Sequence, residues 1–362
     1  MTKINSSPGP LKLTPDYPET PYVSIVLPVY NEQTYIVRCL AAIQKQDYPA
    51  DSLEILVIDG FSTDDTRRLV SLAAVADTRV KLLDNLERLQ AHGLNYGIKA
   101  AHGQIIIRVD GHVLIAPDYV SQCVRLLREM ANQAVVNVGG PMRPHSETNV
   151  GRAIAAATQS PFGIPTAFHH STRAQFVDTV YLGAWPHTLF EQIGGFNPAL
   201  SVNEDYEFNY RTRSAGGKIY LSPNIRSVYF CRSSYPALWR QYYIYGRQKV
   251  QMLRRYPESV KVRQLVAPVF VAALVGLPVL AVFVPSLGLL WLFMLLAYFG
   301  AGSVAAWKSP RNGTSLFTIV LAFLVMHVAW GSGFWRGLSI TLYQRQTGAR
   351  GKITRSQQQK GP

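Results

Sequence analysis

Short apolar runs alternate with amphipathic stretches from Tyr22 to about Gly140. Five of the runs have the length and aliphatic content of buried strands, and the stretches after the first four show helical spacing of their apolar residues. The predicted strands cover residues 22–29, 53–59, 80–83, 104–109 and 134–138. This alternation predicts an α/β domain built on a parallel sheet with helices on both faces. Such sheets bind ligands at the carboxyl ends of their strands, so the polar residues that follow the strands are the first functional candidates.

The pattern changes after Arg263, where long apolar runs replace the alternation. Residues 264–285 and 287–307 contain no charged side chain, and each run reaches the ~20 residues that cross a bilayer core. A third run, residues 315–333, is interrupted by His327 and by two glycines. The sequence therefore predicts two transmembrane helices and, on a weaker pattern, a third.

These changes divide the chain into five segments. Residues 1–21 form a polar, proline-containing lead-in without the apolar core of a signal peptide, so we expect a flexible segment and a main domain that stays on the side of synthesis. The α/β domain covers residues 22–234, and an amphipathic region covers residues 235–263. Membrane helices are predicted within residues 264–343, and a basic tail follows over residues 344–362.

The basic charge is concentrated at the C-terminal end. The formal net charge is +14, and the residues from Lys261 onward include ten Lys or Arg and no acid. Because long apolar runs separate these cations, the pattern fits a membrane with anionic lipids and does not fit a nucleic-acid-binding surface. The three cysteines lie far apart, without CxxC or zinc spacing, and are predicted to be reduced thiols of a cytosolic domain.

Polar residues follow the first two predicted strands. Pro28, Tyr30 and Glu32 lie at the end of the first strand, where a proline and an Asn-Glu pair suit a loop over a flat ring, although an Asn-Glu pair also caps helices. Asp59 ends the second strand and can accept hydrogen bonds from a uracil imide or a ribose hydroxyl. Its structural alternative is a turn-forming aspartate beside Gly60.

The motif Asp110-Gly111-His112 follows the fourth predicted strand. The aspartate and the histidine flank one residue, so both can ligate one divalent cation at the sheet edge. Oxygen ligands suit Mg2+ and Mn2+, and an imidazole shifts the preference toward Mn2+. A reaction in which a diphosphate leaves needs such a cation, because negative charge develops on the leaving group. The bare Asp-x-His pattern also occurs by chance.

A pair of acids, Glu204 and Asp205, precedes a predicted helix. Acids at a helix start are ordinary partners of the helix dipole, which is the structural interpretation. In a direct displacement at a sugar carbon, however, one carboxylate takes the proton of the acceptor hydroxyl, and an aspartate that faces a cleft can do this. The pair therefore offers a carboxylate that can act as the base.

In this order the motifs resemble glycosyltransferase family 2, the inverting enzymes with a Rossmann-like nucleotide-sugar domain of the GT-A type. The resemblance extends from about Tyr22 to Arg255 and looks strongest toward the succinoglycan-type glucosyltransferases of exopolysaccharide assembly. The residues that carry it are 23–32, 58–64, 108–112, Gly194-Gly195-Phe196, Glu204-Asp205 and 229–247.

The resemblance implies roles for these positions. It places Asp59 on the uracil, and Asp110 and His112 on the metal and diphosphate. It implies contacts to the nucleotide sugar for Pro28, Tyr30, Glu32, Asp59, Asp110 and Arg247, acceptor or supporting roles for Glu204, Gln241 and Tyr245, and the base for Asp205.

Two departures from the family pattern stand out. The family commonly has a second aspartate at the position of His112. This departure leaves open whether the metal is Mn2+ or Mg2+. Processive members carry Gln-x-x-Arg-Trp, whereas this chain has Gln241-Tyr-Tyr-Ile-Tyr245, without the Arg and Trp. Arg247 is the candidate substitute for the diphosphate contact, and the departure argues against a long-polymer synthase.

The amphipathic region also has a physical interpretation. Residues 235–256 mix tryptophan and tyrosine with five Lys or Arg directly before the first apolar run. This mixture fits a helix in the headgroup region of a membrane, where it would hold the cleft near a polyprenyl-linked acceptor. The compatible alternative is an amphipathic helix packed on the domain.

Three hypotheses for the function remain open at this point. The first is inverting transfer of a sugar, glucose from UDP-glucose, to a lipid-linked or saccharide acceptor at the cytoplasmic face of the inner membrane. Exopolysaccharide or cell-surface glycan synthesis is then the context, with other polysaccharide-assembly proteins as partners. The second hypothesis is synthesis of a polyprenyl-phosphate sugar, and the third is a membrane-tethered nucleotide-sugar-binding protein without turnover. Retention of both Asp110 and Asp205 argues against the third, because a pure binder needs no base.

The positive-inside rule conflicts with a third full span. Nucleotide sugars are cytosolic, so the domain and Lys261 belong inside, and two spans also place Lys308 and Arg311 inside. A third span would export the cations of the tail. Two topologies stay open: a third span with an exported tail, or a re-entrant or interfacial segment at residues 315–333 with the tail inside.

Overall fold

The computed structural model describes residue 11 and residues 17–346. Its strands are β1 (Val23–Val29), β2 (Leu53–Asp59), β3 (Val80–Asp84), β4 (Ile105–Arg108), β5 (Val113–Ile115), β6 (Val135–Gly140), β7 (Met142–His145), β8 (Gln175–Phe176), β9 (Tyr181–Pro186), β10 (Lys218–Leu221) and β11 (Ser227–Phe230). Its helices are α1 (Ile36–Gln44), α2 (Thr66–Ala76), α3 (Gln90–Ala100), α4 (Tyr119–Glu129), α5 (Asn149–Gln159), α6 (Ala167–His170), α7 (His187–Ile193), α8 (Glu204–Ser214), α9 (Tyr235–Arg255), α10 (Val266–Ala281), α11 (Ser286–Lys308) and α12 (Leu316–Gln346). Most of the predicted lead-in and nearly all of the basic tail lie outside the described residues.

An eight-stranded sheet forms the centre of the fold, in the order β3-β2-β1-β4-β9-β6-β10-β8. Strands β3, β2, β1 and β4 are parallel, so their carboxyl ends meet at one edge. A second sheet of three strands, β5-β11-β7, begins directly after that edge. The predicted α/β class is confirmed, and the five predicted strands are present within two residues of their expected ends.

The central strands are buried on both faces, which explains their continuous apolar runs. Val23, Ile25 and Leu27 of β1 pack with α1, α2 and α4 on one face. Val26 of the same strand packs with α3, α7 and α8 on the other face. The three cysteines are free and buried among the described residues.

The run of neighbouring parallel strands ends at β4, and parallel pairing resumes between β6 and β10. Strand β9 enters between β4 and β6 and runs antiparallel to both. Its backbone departs from regular strand geometry at Leu182 and Gly183, whose φ angles are 62° and 109°. A strand that contains a left-handed residue and a glycine gives no clear alternation, so the sequence pattern did not reveal it.

The chain forms two compact units. The N-terminal unit contains the described residues up to Ser234 together with Gly300–Phe323, and the C-terminal unit contains Tyr235–Phe299 and the described residues from Leu324 onward. The boundary after Ser234 coincides with the predicted start of the amphipathic region. The segment Gly300–Phe323 includes the end of α11, the connection that follows and the start of α12.

Contacts within the N-terminal unit show why this segment belongs there. The Thr314 hydroxyl donates to the carbonyl oxygen of Asn149 at 3.4 Å. The ring of Phe323 meets Phe162 edge-on at a centroid distance of 5.0 Å. The connection between α11 and α12 therefore lies against the α/β domain.

Two C-terminal helices, α11 and α12, are long and apolar enough to cross a membrane. Helix α10 has only 16 residues and contains Pro278, and at ~1.5 Å per residue it falls short of a hydrocarbon core of ~30 Å. Helix α12 runs without a break through His327 and the glycines that follow it. Helix α10 is shorter than the apolar run at residues 264–285, whereas α12 continues beyond the run at residues 315–333. By length, the third predicted span is therefore a better candidate for crossing a membrane than the first.

Within the C-terminal unit, glycines bring α9 and α12 close together. A Cβ atom at Gly246 would overlap the carbonyl oxygen of Trp330, and one at Gly333 would overlap that of Tyr243. Small residues at such positions allow two helix backbones to approach, as in membrane helix pairs. Helix α9 therefore packs on a neighbouring helix, and its predicted position at the membrane interface stays a prediction.

The Gly246→Ala variant should be less stable than the wild type. An added methyl group must separate α9 from α12, and overpacking of this kind costs ~1–3 kcal/mol. The control is Gly276→Ala, because a Cβ at Gly276 meets no atom within 4 Å. The measurement is the thermal unfolding midpoint of both proteins in one detergent. Equal midpoints for the two variants would contradict close packing at Gly246.

Candidate functional site

The loops that follow β1 and β2 are joined by hydrogen bonds at the carboxyl edge of the sheet. The N–H of Asn31 donates to Ser62 Oγ at 2.9 Å, and the N–H of Thr63 donates to Asn31 Oδ1 at 2.8 Å. Farther along, the N–H of Gln33 donates to the Asp64 carboxylate at 3.2 Å. These bonds join residues that lie about thirty positions apart in sequence. They fix the shape of the two loops at the carboxyl edge of the sheet, where the nucleotide is predicted to bind.

Pro28 and Tyr30 occupy different environments at the end of β1. Pro28 is buried, and its ring lies 3.4 Å from the position of a Cβ at Gly93 in α3. Tyr30 is exposed and lies beside Gly60. Of these two predicted nucleotide contacts, only Tyr30 therefore presents a large surface to solvent.

Asp59 organises the loop after β2. Its side chain is fully buried and accepts hydrogen bonds from the Ser62 hydroxyl at 2.6 Å and the Ser62 N–H at 3.1 Å. Arg67 adds a contact of 3.3 Å and also binds Asp84 at 2.7 Å. The turn-forming role that the sequence left open is present, and a contact to the nucleobase stays a prediction.

A buried arginine joins the acid after β4 to the start of α8. Arg108 is 8% exposed, and its Nε donates to Asp110 Oδ1 at 2.9 Å while Nη1 donates to Glu204 Oε1 at 3.2 Å. Burial alone would lower the pKa of Arg108, but the surrounding carboxylates outweigh it and raise that pKa. One guanidinium can bind two carboxylates because its planar group presents several donors. Arg108 thus holds together two predicted site residues that are remote in sequence.

Glu204 and Asp205 begin α8 as neighbouring acids. Burial, together with the adjacent Asp205 carboxylate, raises the pKa of Glu204 well above the usual range of a glutamate. Asp205 is half-buried, and its Oδ1 accepts the N–H of Tyr206 at 2.7 Å. When the environment raises the pKa of one acid in a pair, the pair can offer a proton donor and a base at the same pH.

His112 faces a carboxylate that the sequence assigned to the nucleotide. Its Nδ1 lies 2.7 Å from Glu32 Oε1, and its ring lies 5.2 Å from the ring of Tyr229. A carboxylate accepts the Nδ1 proton, which leaves the Nε2 lone pair of a neutral imidazole for another partner. Glu32 therefore fixes the tautomer of His112 as well as its position.

The described residues contain no group of three or more His, Cys, Asp or Glu side chains that could hold a metal ion by themselves. A cation at Asp110 and His112 would need further ligands, and Mg2+ sites commonly combine one or two carboxylates with substrate phosphate oxygens. The Asp110 carboxylate has acceptor positions beyond those used by Arg108 and by Gln90 at 3.3 Å. These residues fit a cation that arrives with a diphosphate.

The other predicted residues lie on α9, in the C-terminal unit. Gln241 Nε2 donates to the Tyr245 hydroxyl at 2.9 Å, one helical turn away. Arg247 lies on the same helix, and its carbonyl oxygen is 2.5 Å from the position of a Cβ at Gly337. Their roles toward the acceptor and the diphosphate stay predictions.

Sequence reasoning assigned no role to two arginines of the site: Arg108, which belongs to the motif at residues 108–112, and Arg67. Arg108 follows three isoleucines in a buried strand, and a cation in such an apolar run is the signal that could have identified it. Arg67 gives no comparable signal, because it lies at the start of a partly exposed helix where arginine is common.

Comparisons with known proteins show which sequences this chain resembles. The family model described as Glycosyl transferase family 2 matches residues 24–170. The chain is 29% identical over 329 residues to the succinoglycan biosynthesis protein ExoA of Rhizobium meliloti (strain 1021), covering 87% of this chain and 94% of the relative. It is 28% identical over 239 residues to a dolichyl N-acetyl-alpha-D-glucosaminyl phosphate 3-beta-D-2,3-diacetamido-2,3-dideoxy-beta-D-glucuronosyltransferase of Methanococcus voltae, covering 65% of this chain and 74% of the relative.

A solved structure shares the fold. A mannosyltransferase from Pyrobaculum calidifontis, in complex with GDP-Man and Mn2+, superposes with a TM-score of 0.60 at 22% identity. The match covers 89% of this chain and 90% of that protein. At this identity the likeness establishes the fold alone.

Proposed function

The chain is a glycosyltransferase whose residues 24–170 match the model of glycosyltransferase family 2, and from this match we propose the following reaction. It transfers a sugar from a nucleotide diphosphate, with inversion at the anomeric carbon, to a lipid-linked acceptor at the cytoplasmic face of the membrane. Glucose from UDP-glucose is the proposed donor sugar, and synthesis of an exopolysaccharide or another cell-surface glycan is the proposed context. Relatives in exopolysaccharide and glycan synthesis support this context.

One observation carries the proposal: Arg108 contacts both Asp110, at 2.9 Å, and Glu204, at 3.2 Å. Asp110 lies at the carboxyl edge of the sheet, where α/β folds bind nucleotides. Glu204 is the neighbour of Asp205, the proposed base. The guanidinium of Arg108 thus connects Asp110, on the proposed donor side of the reaction, with Glu204, on the proposed acceptor side.

The proposed chemistry follows from the placement of these groups. Asp110 and His112 would hold a divalent cation, Mn2+ or Mg2+, which supplies charge neutralisation for a departing diphosphate. The Pyrobaculum mannosyltransferase that shares this fold was solved in complex with GDP-Man and Mn2+, so a divalent cation is compatible with the fold. Asp205 would take the proton of the acceptor hydroxyl, and that oxygen then forms the new bond to the anomeric carbon while the bond to the diphosphate breaks.

The C-terminal helices support a place at the membrane. Large apolar side chains of α10 and α11 are exposed, among them Val275, Val279, Leu289, Phe293 and Leu296. Residues 264–307 carry no charge, whereas basic residues stand at both ends of this segment. Apolar surface bordered by cations fits a bilayer with anionic headgroups. A dolichyl phosphate appears in the name of the Methanococcus relative, which supports a lipid-linked acceptor.

The product of the transfer should be β-linked when the donor is UDP-α-glucose. A single carboxylate base supports one displacement, and one displacement inverts the anomeric centre. Membranes that contain the protein are supplied with radiolabelled UDP-glucose, and with GDP-mannose in parallel, and the extracted lipid product is analysed by NMR. Label in the lipid fraction with a β linkage is the expected result. An α linkage would contradict the inverting mechanism, and transfer from GDP-mannose alone would replace the proposed donor.

A further inference from the structure

Glu32 and His112 form a pair that the proposed roles do not explain. Glu32 lies in the loop after β1, His112 lies in the turn between β4 and β5, and the two side chains meet at 2.7 Å. Both side chains are about four-fifths buried, with exposed fractions of 19% and 22%. The local backbone explains how two partly buried side chains at neighbouring strand ends come into contact.

The backbone on both sides is built to allow this contact. A Cβ at Gly111 would lie 2.8 Å from Glu32 Cγ, so a larger residue beside His112 would push the glutamate away. The Glu32 N–H donates to Thr66 Oγ1 at 2.7 Å, and its carbonyl oxygen accepts the N–H groups of Tyr35 and Ile36 at the start of α1. Glu32 is thus fixed by its main chain, and its carboxylate is directed at His112.

A histidine held in this way has the form of a metal ligand. Metal-ligating histidines usually donate their second ring N–H to a carboxylate or carbonyl, which orients the ring and increases the basicity of the ligating nitrogen. The ring of Tyr229 packs beside the same imidazole at 5.2 Å and further limits its rotation. Only Nε2 of His112 then remains to coordinate a cation.

We infer that Glu32 is a positioning residue, which holds the His112 imidazole so that Nε2 binds the divalent cation of the site. This inference rests on the proposed function, and it reassigns Glu32 from the nucleotide sugar to the histidine. The carboxylate of Glu32 acts through the imidazole and does not itself touch the cation.

The test measures Mn2+ binding to the full-length protein in detergent with saturating UDP, and in parallel with GDP. Free Mn2+ is followed by its EPR signal, and pulsed EPR detects a 14N nucleus coordinated to bound Mn2+. The wild type should show the 14N coupling, and His112→Ala should lose it. Glu32→Ala should weaken Mn2+ binding by ~10–100-fold, the usual effect of losing such a supporting group. Glu32→Gln, which is nearly isosteric, should fall between wild type and Glu32→Ala.

The chain contains a matched control in a second His–Glu pair. His102 Nδ1 lies 3.3 Å from the Glu54 carboxylate, near the opposite ends of the strands, where Leu53–Asp59 begins. His102→Ala should leave both Mn2+ affinity and the 14N coupling unchanged. If Glu32→Ala fails to fold, Glu32→Gln still decides the question.

Three results would overturn the inference: no 14N coupling in the wild type, Mn2+ affinity within twofold of wild type in both Glu32 variants, or weaker metal-free UDP binding with unchanged Mn2+ affinity. The last result would show that Glu32 contacts the nucleotide, as the sequence analysis predicted. Transfer by the wild type without 14N coupling would refute this inference alone. Coupling without transfer from any nucleotide sugar would refute the proposed function alone.

Discussion

Replacement of Asp205 by asparagine should lower the rate of sugar transfer by ~10²–10⁴, the usual contribution of a positioned general base. Asparagine keeps the size of the side chain and its hydrogen bond to the Tyr206 N–H, which the wild-type carboxylate accepts at 2.7 Å. It cannot accept a proton from the acceptor hydroxyl at neutral pH. UDP affinity should stay within a few-fold of wild type, because Asp205 lies outside the residues proposed to bind the donor. Transfer rate and UDP affinity are measured on the same preparation.

Two further variants are needed to interpret the result for Asp205→Asn. Asp110→Asn should weaken both UDP binding and transfer, because Asp110 is proposed to hold the cation that would neutralise the diphosphate both when it binds and when it leaves. Asp118→Asn is the control, since Asp118 also stands at the start of a helix, α4, but binds Arg226 on the surface at 3.0 Å. It should transfer at the wild-type rate. Wild-type transfer by Asp205→Asn would assign the base to another acid, and loss of UDP binding would make the turn before α8 structural.

Replacement of Arg108 by methionine should cost about 3–5 kcal/mol of folding free energy, because it leaves buried carboxylates without their cation. Asp110 and Glu204 each contact this guanidinium at about 3 Å, and both are less than 10% exposed. The thermal unfolding midpoint in detergent should therefore fall strongly. Arg108→Lys should fall less, because it keeps the charge but can reach only one carboxylate at a time.

The matched control for Arg108 is a surface ion pair. Arg125→Met removes a contact of 3.0 Å to Glu129 on the exposed side of α4, and such pairs contribute little to stability. The double variant with Arg108→Met and Glu204→Gln should recover part of the lost stability, because it also removes one uncompensated charge. A midpoint for Arg108→Met equal to that of Arg125→Met would show that the buried carboxylates need no cation.

The sequence was sufficient for the parallel half of the sheet because β1, β2 and β4 are buried on both faces and have apolar runs bounded by polar residues. It was not sufficient for β9, whose left-handed Leu182 breaks the pattern. The candidate acids could be located because they stand just after strand ends or at a helix start. Their partners could not, because pairings such as Glu32 with His112 and Arg108 with Glu204 depend on which strand ends become neighbours.

The same limit applies to the membrane segments. Composition located all three apolar runs, but helix length distinguished α10 from α11 and α12. The close approach of α9 to α12 depends on glycines that composition treats only as breaks in an apolar run. An apolar window therefore measures the affinity of a segment for lipid and gives no information on the helices packed against it.

The loops after β1 and β2 also limit how this protein can vary during evolution. Asn31 and Thr63 exchange hydrogen bonds across the two loops, and Gln33 does the same with Asp64 and Asp65. A substitution in one loop removes a partner from the other, so selection acts on the two loops jointly. Changes at residues 31–33 should be inherited together with compensating changes at residues 62–65, whereas exposed positions of α2 remain free to drift.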